Sequence, residues 1–288
     1  MPLVKVQSRG TEEVGGAVKN LIINGSMAIN QRGATSGVTS GYFVDRFTLS
    51  GCSASAVITS NTPTEFPTAI TVSATSGNPI VSQRIESKFV QHLSGKVVTA
   101  SFLAKNVSNA TTLYVSLQYA GSADNFGSTT TITEHNLGSL TSDWVKYTAS
   151  WTVPSGGLNG LALNILCAGS STFTMGVTGV QLEVGSTASD FAHRTFAEEF
   201  ILCQRYYQVV DALMWGHQAK IGDTNRHVNW VLQPTMSGTP ALTVSQVRSG
   251  YSFGGTNELA DDMANFYLSV GDTTNHVYAE NHIAVAEL

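Results

Sequence analysis

The sequence predicts an all-β protein: a jelly-roll β-sandwich, one short helix, then a smaller C-terminal β-domain. Three observations predict it. Apolar and polar residues alternate over short stretches, the period of a strand with one buried face. Clusters of Gly, Asn, Ser and Pro separate those stretches without βαβ alternation, the pattern of a sandwich or barrel. Charged residues are only 12% of the 288, about half the usual roughly 25%, and Gly, Ser and Thr take their place. The 42% hydrophobic content supplies a core, which excludes a disordered chain.

Taken in order, residues 1–19 are polar and weakly patterned and read as an N-terminal arm, an attachment point or a frayed terminus. Residues 20–194 carry the sandwich. Val97 to Lys105 is one strand; Leu113, Val115, Leu117 and Tyr119 mark the inner face of another. Val145, Tyr147, Ala149, Trp151 and Val153 mark a third, with Trp151 in the core, and Phe173 to Val184 a fourth. Ser76-Gly77-Asn78-Pro79, Ser94-Gly95, Pro154-Ser155-Gly156-Gly157 and Ala168-Gly169-Ser170 are the separators. Thr195-Phe196-Ala197-Glu198 fits a capping box, which starts a helix in residues 195–208. Phe196, Phe200, Cys203 and Tyr207, joined by Ile201, form its expected buried stripe. Residues 209–288 return to short alternating stretches such as Val228, Trp230 and Leu232, then Val277, Ala279, Ile283 and Val285. So small a sheet has a thin core, which predicts stability gained by oligomerising, in a homotrimer or similar assembly.

Several function classes are excluded at this level. The net charge is −5 and no basic run occurs, which argues against a nucleic-acid partner. No apolar run reaches the roughly 18 residues of a membrane helix, and the N-terminus shows no signal-peptide core. Three distant cysteines, Cys52, Cys167 and Cys203, are no disulfide framework, and Cys167 reads as a buried thiol. No Gly-x-Ser-x-Gly elbow, phosphate loop or His-Glu-x-x-His is present. The adjacent pairs Glu198-Glu199 and Asp261-Asp262 read as solvent-facing charges, not an acid/base pair. His276 and His282 read as isolated surface histidines, and no cofactor or metal motif is found.

Two signatures bracket the sandwich. One is Asn20-Leu21-Ile22-Ile23-Asn24-Gly25-Ser26-Met27, followed by Asn30-Gln31-Arg32-Gly33. The other runs from Val180-Gln181-Leu182-Glu183 through Phe191-Ala192-His193-Arg194 to Leu202-Cys203-Gln204-Arg205-Tyr206-Tyr207. Between them lie Asp45-Arg46-Phe47, Ser82-Gln83-Arg84-Ile85-Glu86, Gly95 through Lys105 and Trp144 through Pro154, and the chain closes on Ala286-Glu287-Leu288. In this order the motifs resemble those of bacteriophage virion proteins of the tail-fibre kind, whose main domain resembles a carbohydrate-binding jelly roll. The resemblance covers residues 20–207. It departs at Ser26-Met27, where the family has an acidic-aromatic pair.

The resemblance implies a non-enzymatic virion protein, a fibre-like appendage that binds host surface polysaccharide and assembles with other virion proteins. A capsid-decorating protein without a receptor role and a carbohydrate-active enzyme are the alternatives. It also implies where ligands sit, since such jelly rolls stack exposed aromatics on sugar faces. The ligand-binding candidates are Trp215, Tyr251, Tyr119 and Trp144, with Tyr114 and Trp230 beside them. Loops carry recognition more often than strands, which favours Trp215 and Tyr251. Such domains often hold a structural Ca²⁺, and Glu183 and Asp190 are the carboxylates to weigh for it.

Overall fold

The computed structural model describes residues 19–51, 54–59, 61–75, 77–210, 225–244, 251–270 and 282–288. The arm at 1–18, Cys52, Trp215 and His276 lie outside the described residues, as do the side chains of Tyr251 and His282. The protein is all-β, and its main body is one sheet of nine strands curled into a sandwich. These are β1 (Gly41–Tyr42), β2 (Thr48–Ser50), β3 (Ala54–Thr59), β4 (Ala69–Ala74), β5 (Ile80–Ile85), β6 (Val97–Ser122), β7 (Asn125–Ser139), β8 (Val145–Thr152) and β9 (Leu161–Val184). A four-residue helix α1 (Ser87–Val90) follows β5, and α2 (Phe196–Gln204) follows β9.

Two long strands build both layers. The register of β6 against β9 breaks repeatedly between Asn106 and Thr112. Before the break, β6 pairs with β8 and with the second half of β9, which continues to β4 and β3. After it, β6 pairs with β7 and with the first half of β9, which continues to β5, β2 and β1. The extra residues bend both strands at one place and fold the sheet over on itself. Val98, Ala100, Phe102 and Ala104 from one half of β6 thereby join Leu113, Val115 and Leu117 from the other in a single core. Trp151, Cys167, Phe173 and Met175 complete it, so Trp151 and Cys167 are buried as the sequence predicts.

The continuity of β6 and β9 corrects the sequence reading. Val97–Lys105 and Leu113–Tyr119 are two halves of one strand, and Ala168-Gly169-Ser170 lies within β9 instead of ending it. A turn-like composition marks a bulge here as well as it marks a turn.

Helix α2 carries the capping box: Thr195 N–H donates to Glu198 Oε2 (2.9 Å) and Glu198 N–H to Thr195 Oγ1 (3.3 Å). Its buried face keeps part of the expected stripe: Cys203 and Tyr207 are buried and Phe200 packs against Cys203's cluster. Phe196, however, is 68% and Ile201 51% exposed, and Glu199 is buried. Glu199 accepts Asn24 N–H and two bonds from Arg194 Nη1 (3.1 and 3.2 Å), so it faces the protein and not solvent. A carboxylate that brings its own partner occupies a helix face that hydropathy assigns to water.

Among the described residues six further strands follow: β10 (Tyr207–Val210), β11 (Asn225–Val231), β12 (Ala241–Val244), β13 (Tyr251–Leu259), β14 (Met263–Val270) and β15 (His282–Val285). They form two three-stranded sheets, β10-β15-β12 and β11-β14-β13. After β15 the chain returns to the sandwich. Glu287 accepts from Arg32 Nη2 (2.7 Å) and pairs with Arg46, itself 1% exposed. Arg46 also donates to Arg84 O (2.7 Å) and lies 3.4 Å above the Tyr206 ring. Tyr206 and Arg205 both donate to Glu86. The motif residues Asp45-Arg46, Arg84 to Glu86, Arg205-Tyr206 and Glu287 therefore form one buried clasp between sandwich, helix and C-terminal segment.

Candidate functional site

The outer face of the layer formed by β8, the first half of β6, the second half of β9, β4 and β3 carries a groove of about 510 Å³. Its floor is Leu103 of β6 beside Lys146 of β8, with Ser101 and Gly179 next to them; Thr178 of β9 pairs with Leu103 on its other side and is buried. Its wall is aromatic. Phe66, held by a turn in which its N–H donates to Pro63 O (3.0 Å), meets Phe191 edge-on at 5.0 Å between ring centres. His193 lies 4.8 Å from Phe191 and 5.6 Å from Phe66. Gly179 makes room for this wall: its φ is +62°, and a Cβ there would fall 2.7 Å from Phe66 Cζ. Two exposed carboxylates, Glu65 and Asp190, and the Lys146 amine stand at the rim.

The second signature positions that wall. Ala192 N–H donates to Gln181 Oε1 (2.8 Å), which fixes the segment carrying Phe191 and His193. Glu183 accepts from Ser189 N–H (2.8 Å), Ser189 O–H (2.7 Å) and Gln181 Nε2 (2.9 Å). Lys146 Nζ donates to Ser189 O (2.6 Å) and ties the same segment to β8. Gln181 and Glu183 are thus buried holders of a loop, and Asp190 through His193 is what they hold.

The ligand-binding candidates named from the sequence fall in different places. Trp144 is half-buried on this same outer face, its ring against Gly176 and 5.4 Å from Lys105 Nζ. Its buried indole N–H finds no acceptor among the described residues. Tyr119 packs against the core and over Gly156, where a Cβ would come within 2.5 Å of its ring. Tyr114 is half-buried in the other layer, and Trp230 is buried in β11. Tyr251 opens β13, its side chain outside the described residues, and so is all of Trp215. The Glu183 carboxylate is taken up by Ser189 and Gln181, while that of Asp190 faces the groove. No cluster of three His, Cys, Asp or Glu side chains placed to hold a metal ion occurs among the described residues.

The sequence reading missed Phe66, Glu65 and Lys146, and treated Phe191 and His193 only as family marks. One signal was available: Phe66 is an aromatic in a loop bracketed by Pro63 and Pro67. Chemically, the groove offers apolar ring faces beside acceptors and one cationic donor, which suits a polyhydroxylated ligand with an apolar face. Its volume lies in the usual range for small-ligand sites.

No family model and no curated protein matches the chain. Solved structures align with part of the chain at low identity. The enzymatically active domain of tailspike protein 4 of bacteriophage CBA120 aligns at 15% identity and a TM-score of 0.42, over 58% of this chain and 22% of that one. A xylan-binding domain of Paenibacillus barcinonensis aligns at 16% and 0.37, over 53% and 94%. A family 22 carbohydrate binding module of Clostridium thermocellum aligns at 16% and 0.38, over 53% and 97%. The chain thus spans about a fifth of the phage protein's length and nearly all of the two modules.

Proposed function

We propose that this chain is a non-enzymatic structural protein of a bacteriophage virion, a fibre-like appendage whose β-sandwich binds glycans of the host surface. The observation that carries the proposal is the groove, where the half-exposed Phe191 and the exposed His193, backed by the buried Phe66, share a lining with the carboxylates of Glu65 and Asp190. Aromatic faces stack on the apolar face of a sugar ring, and carboxylates accept from its hydroxyls. The ordered series of phage-like motifs from Asn20 to Tyr207 supports the virion assignment. Each site is open and small, so useful attachment comes from several copies on one particle, where linkage raises avidity without new contacts.

Binding of the purified chain to a bacterial glycan array tests the reading. Phe191→Ala and Asp190→Asn should each weaken binding while the thermal unfolding midpoint stays near that of the parent. No binding to any glycan, or binding untouched by both substitutions, would remove the receptor role and favour the capsid-decorating alternative. Immunogold labelling of intact particles tests the virion location, and release of reducing ends from a bound polysaccharide would revive the enzymatic alternative.

A further inference from the structure

The outer face of the β8-β6-β9 layer continues past the floor of the groove. On it, Lys146, Leu103 and Thr178 stand in one row across β8, β6 and β9. Two residues further along the strands the next row holds Lys105 and Gly176, paired across β6 and β9, with Thr71 of β4 opposite Gly176. Trp144, the residue before β8, lies over this second row, its ring against the bare backbone of Gly176. Two residues of strand span about 7 Å, so the rows are neighbours on one continuous surface.

Resting on the glycan-binding reading, we infer that Trp144, Lys105 and Gly176 form a second subsite of the same cleft, and that the ligand is a linear oligosaccharide lying along β6. One end of the chain rests against Phe191 and His193, between the carboxylates of Glu65 and Asp190. The other end rests on the indole of Trp144, with the Lys105 amine as hydroxyl donor. Glycine at 176 is what gives the indole its seat, since a Cβ there would come within 2.9 Å of the ring. A monosaccharide-specific pocket has no use for a second aromatic platform one row away; a cleft for a polymer does.

The test is chain-length dependence, measured by isothermal titration. The probes are disaccharide and hexasaccharide fractions from mild acid hydrolysis of the polysaccharide the array selects. The parent should bind the hexasaccharide roughly tenfold more tightly than the disaccharide, the worth of one added aromatic platform. Trp144→Ala should abolish that difference and leave disaccharide binding unchanged. Gly176→Ala, which displaces the ring without removing it, should do the same and guards against a folding defect in the first variant. Phe191→Ala should weaken both ligands. Equal affinity for the two lengths, or a length preference that survives both Trp144→Ala and Gly176→Ala, would overturn the second subsite alone. Failure of every glycan to bind would overturn the functional reading and the subsite with it.

Discussion

Glu287→Ala is expected to be among the most destabilising single changes in this chain, although it lies next to the last residue. The Glu287 side chain is 5% exposed and is shared between Arg32 and Arg46, whose own side chains are 16% and 1% exposed. Burial opposes the Arg46 charge more than any other single influence, and Glu287, Tyr206 and Tyr42 together outweigh it and hold the guanidinium protonated. Removing that carboxylate leaves a buried cation whose remaining partners are the Arg84 carbonyl and the Tyr206 ring. Removing one partner of a buried pair costs about 3–5 kcal/mol, because the orphaned charge keeps its desolvation penalty. For a domain of this size that lowers Tm by roughly 10 °C. Urea unfolding followed by tryptophan fluorescence and far-UV dichroism gives the free energy. The double variant Arg46→Met, Glu287→Leu should recover more than half of the loss, since an apolar pair leaves no unpaired charge. A loss under about 1 kcal/mol for Glu287→Ala, the range of a solvated surface pair, would refute the reasoning. It would mean that the C-terminal segment is not held by the clasp.

Three other outcomes follow from the same structure. Burial raises the Asp45 carboxyl from 3.8 to about 6, against the bonds it accepts from Gln31. The folded state therefore binds this proton more tightly than the unfolded chain, so stability is gained as pH falls through 6 towards 4 and lost as it rises. The swing is on the order of 2–3 kcal/mol, and Asp45→Asn should flatten the stability–pH curve between pH 4 and 7; an unchanged curve would count against it. Asn20→Ala strips acceptors from Ile22 N–H (2.9 Å) and Leu182 N–H (3.0 Å) and a donor from Val180 O (3.2 Å). It should cost about 3 kcal/mol in urea unfolding, as buried backbone groups lose their partners. Phe196→Ser and Ile201→Ser, at exposed helix positions, should each change stability by no more than about 0.5 kcal/mol in the same assay.

Much of the local structure was legible in the residues because its causes are local. A buried strand face requires every second residue to be apolar, and Leu113, Val115 and Leu117 announce it before any partner strand is known. The capping box is likewise satisfied within four residues, so Thr195 and Glu198 declare the start of α2 on their own. The site was less legible. Trp144 is legible as an aromatic, and its two-residue spacing from Lys146 puts both on one strand face, but nothing local says that Leu103 lies beside them. Phe66 and Phe191 are separated by 125 positions of chain, and their contact exists only because β4 pairs with the second half of β9 and the segment after β9 is tied back to Gln181.

The sequence by itself determined that the protein is all-β, which strand faces are buried, where one helix begins, and which series of motifs it carries. Those properties follow from periodicity and turn chemistry, which act over a few residues. Tertiary structure alone decided that β6 and β9 each serve two layers, because a bulge is read as a bend only when partners stay paired on both sides of it. It alone decided that Glu199 and Glu287 are inside. Hydropathy sends a charge to the surface unless an opposite charge waits in the interior, and Arg46 waits for Glu287 from 241 positions away. It also turned the signatures from surface marks into fastenings: Asn20, Gln181 and Glu183 spend their hydrogen bonds holding backbone, and the segment they hold carries the groove's aromatic wall.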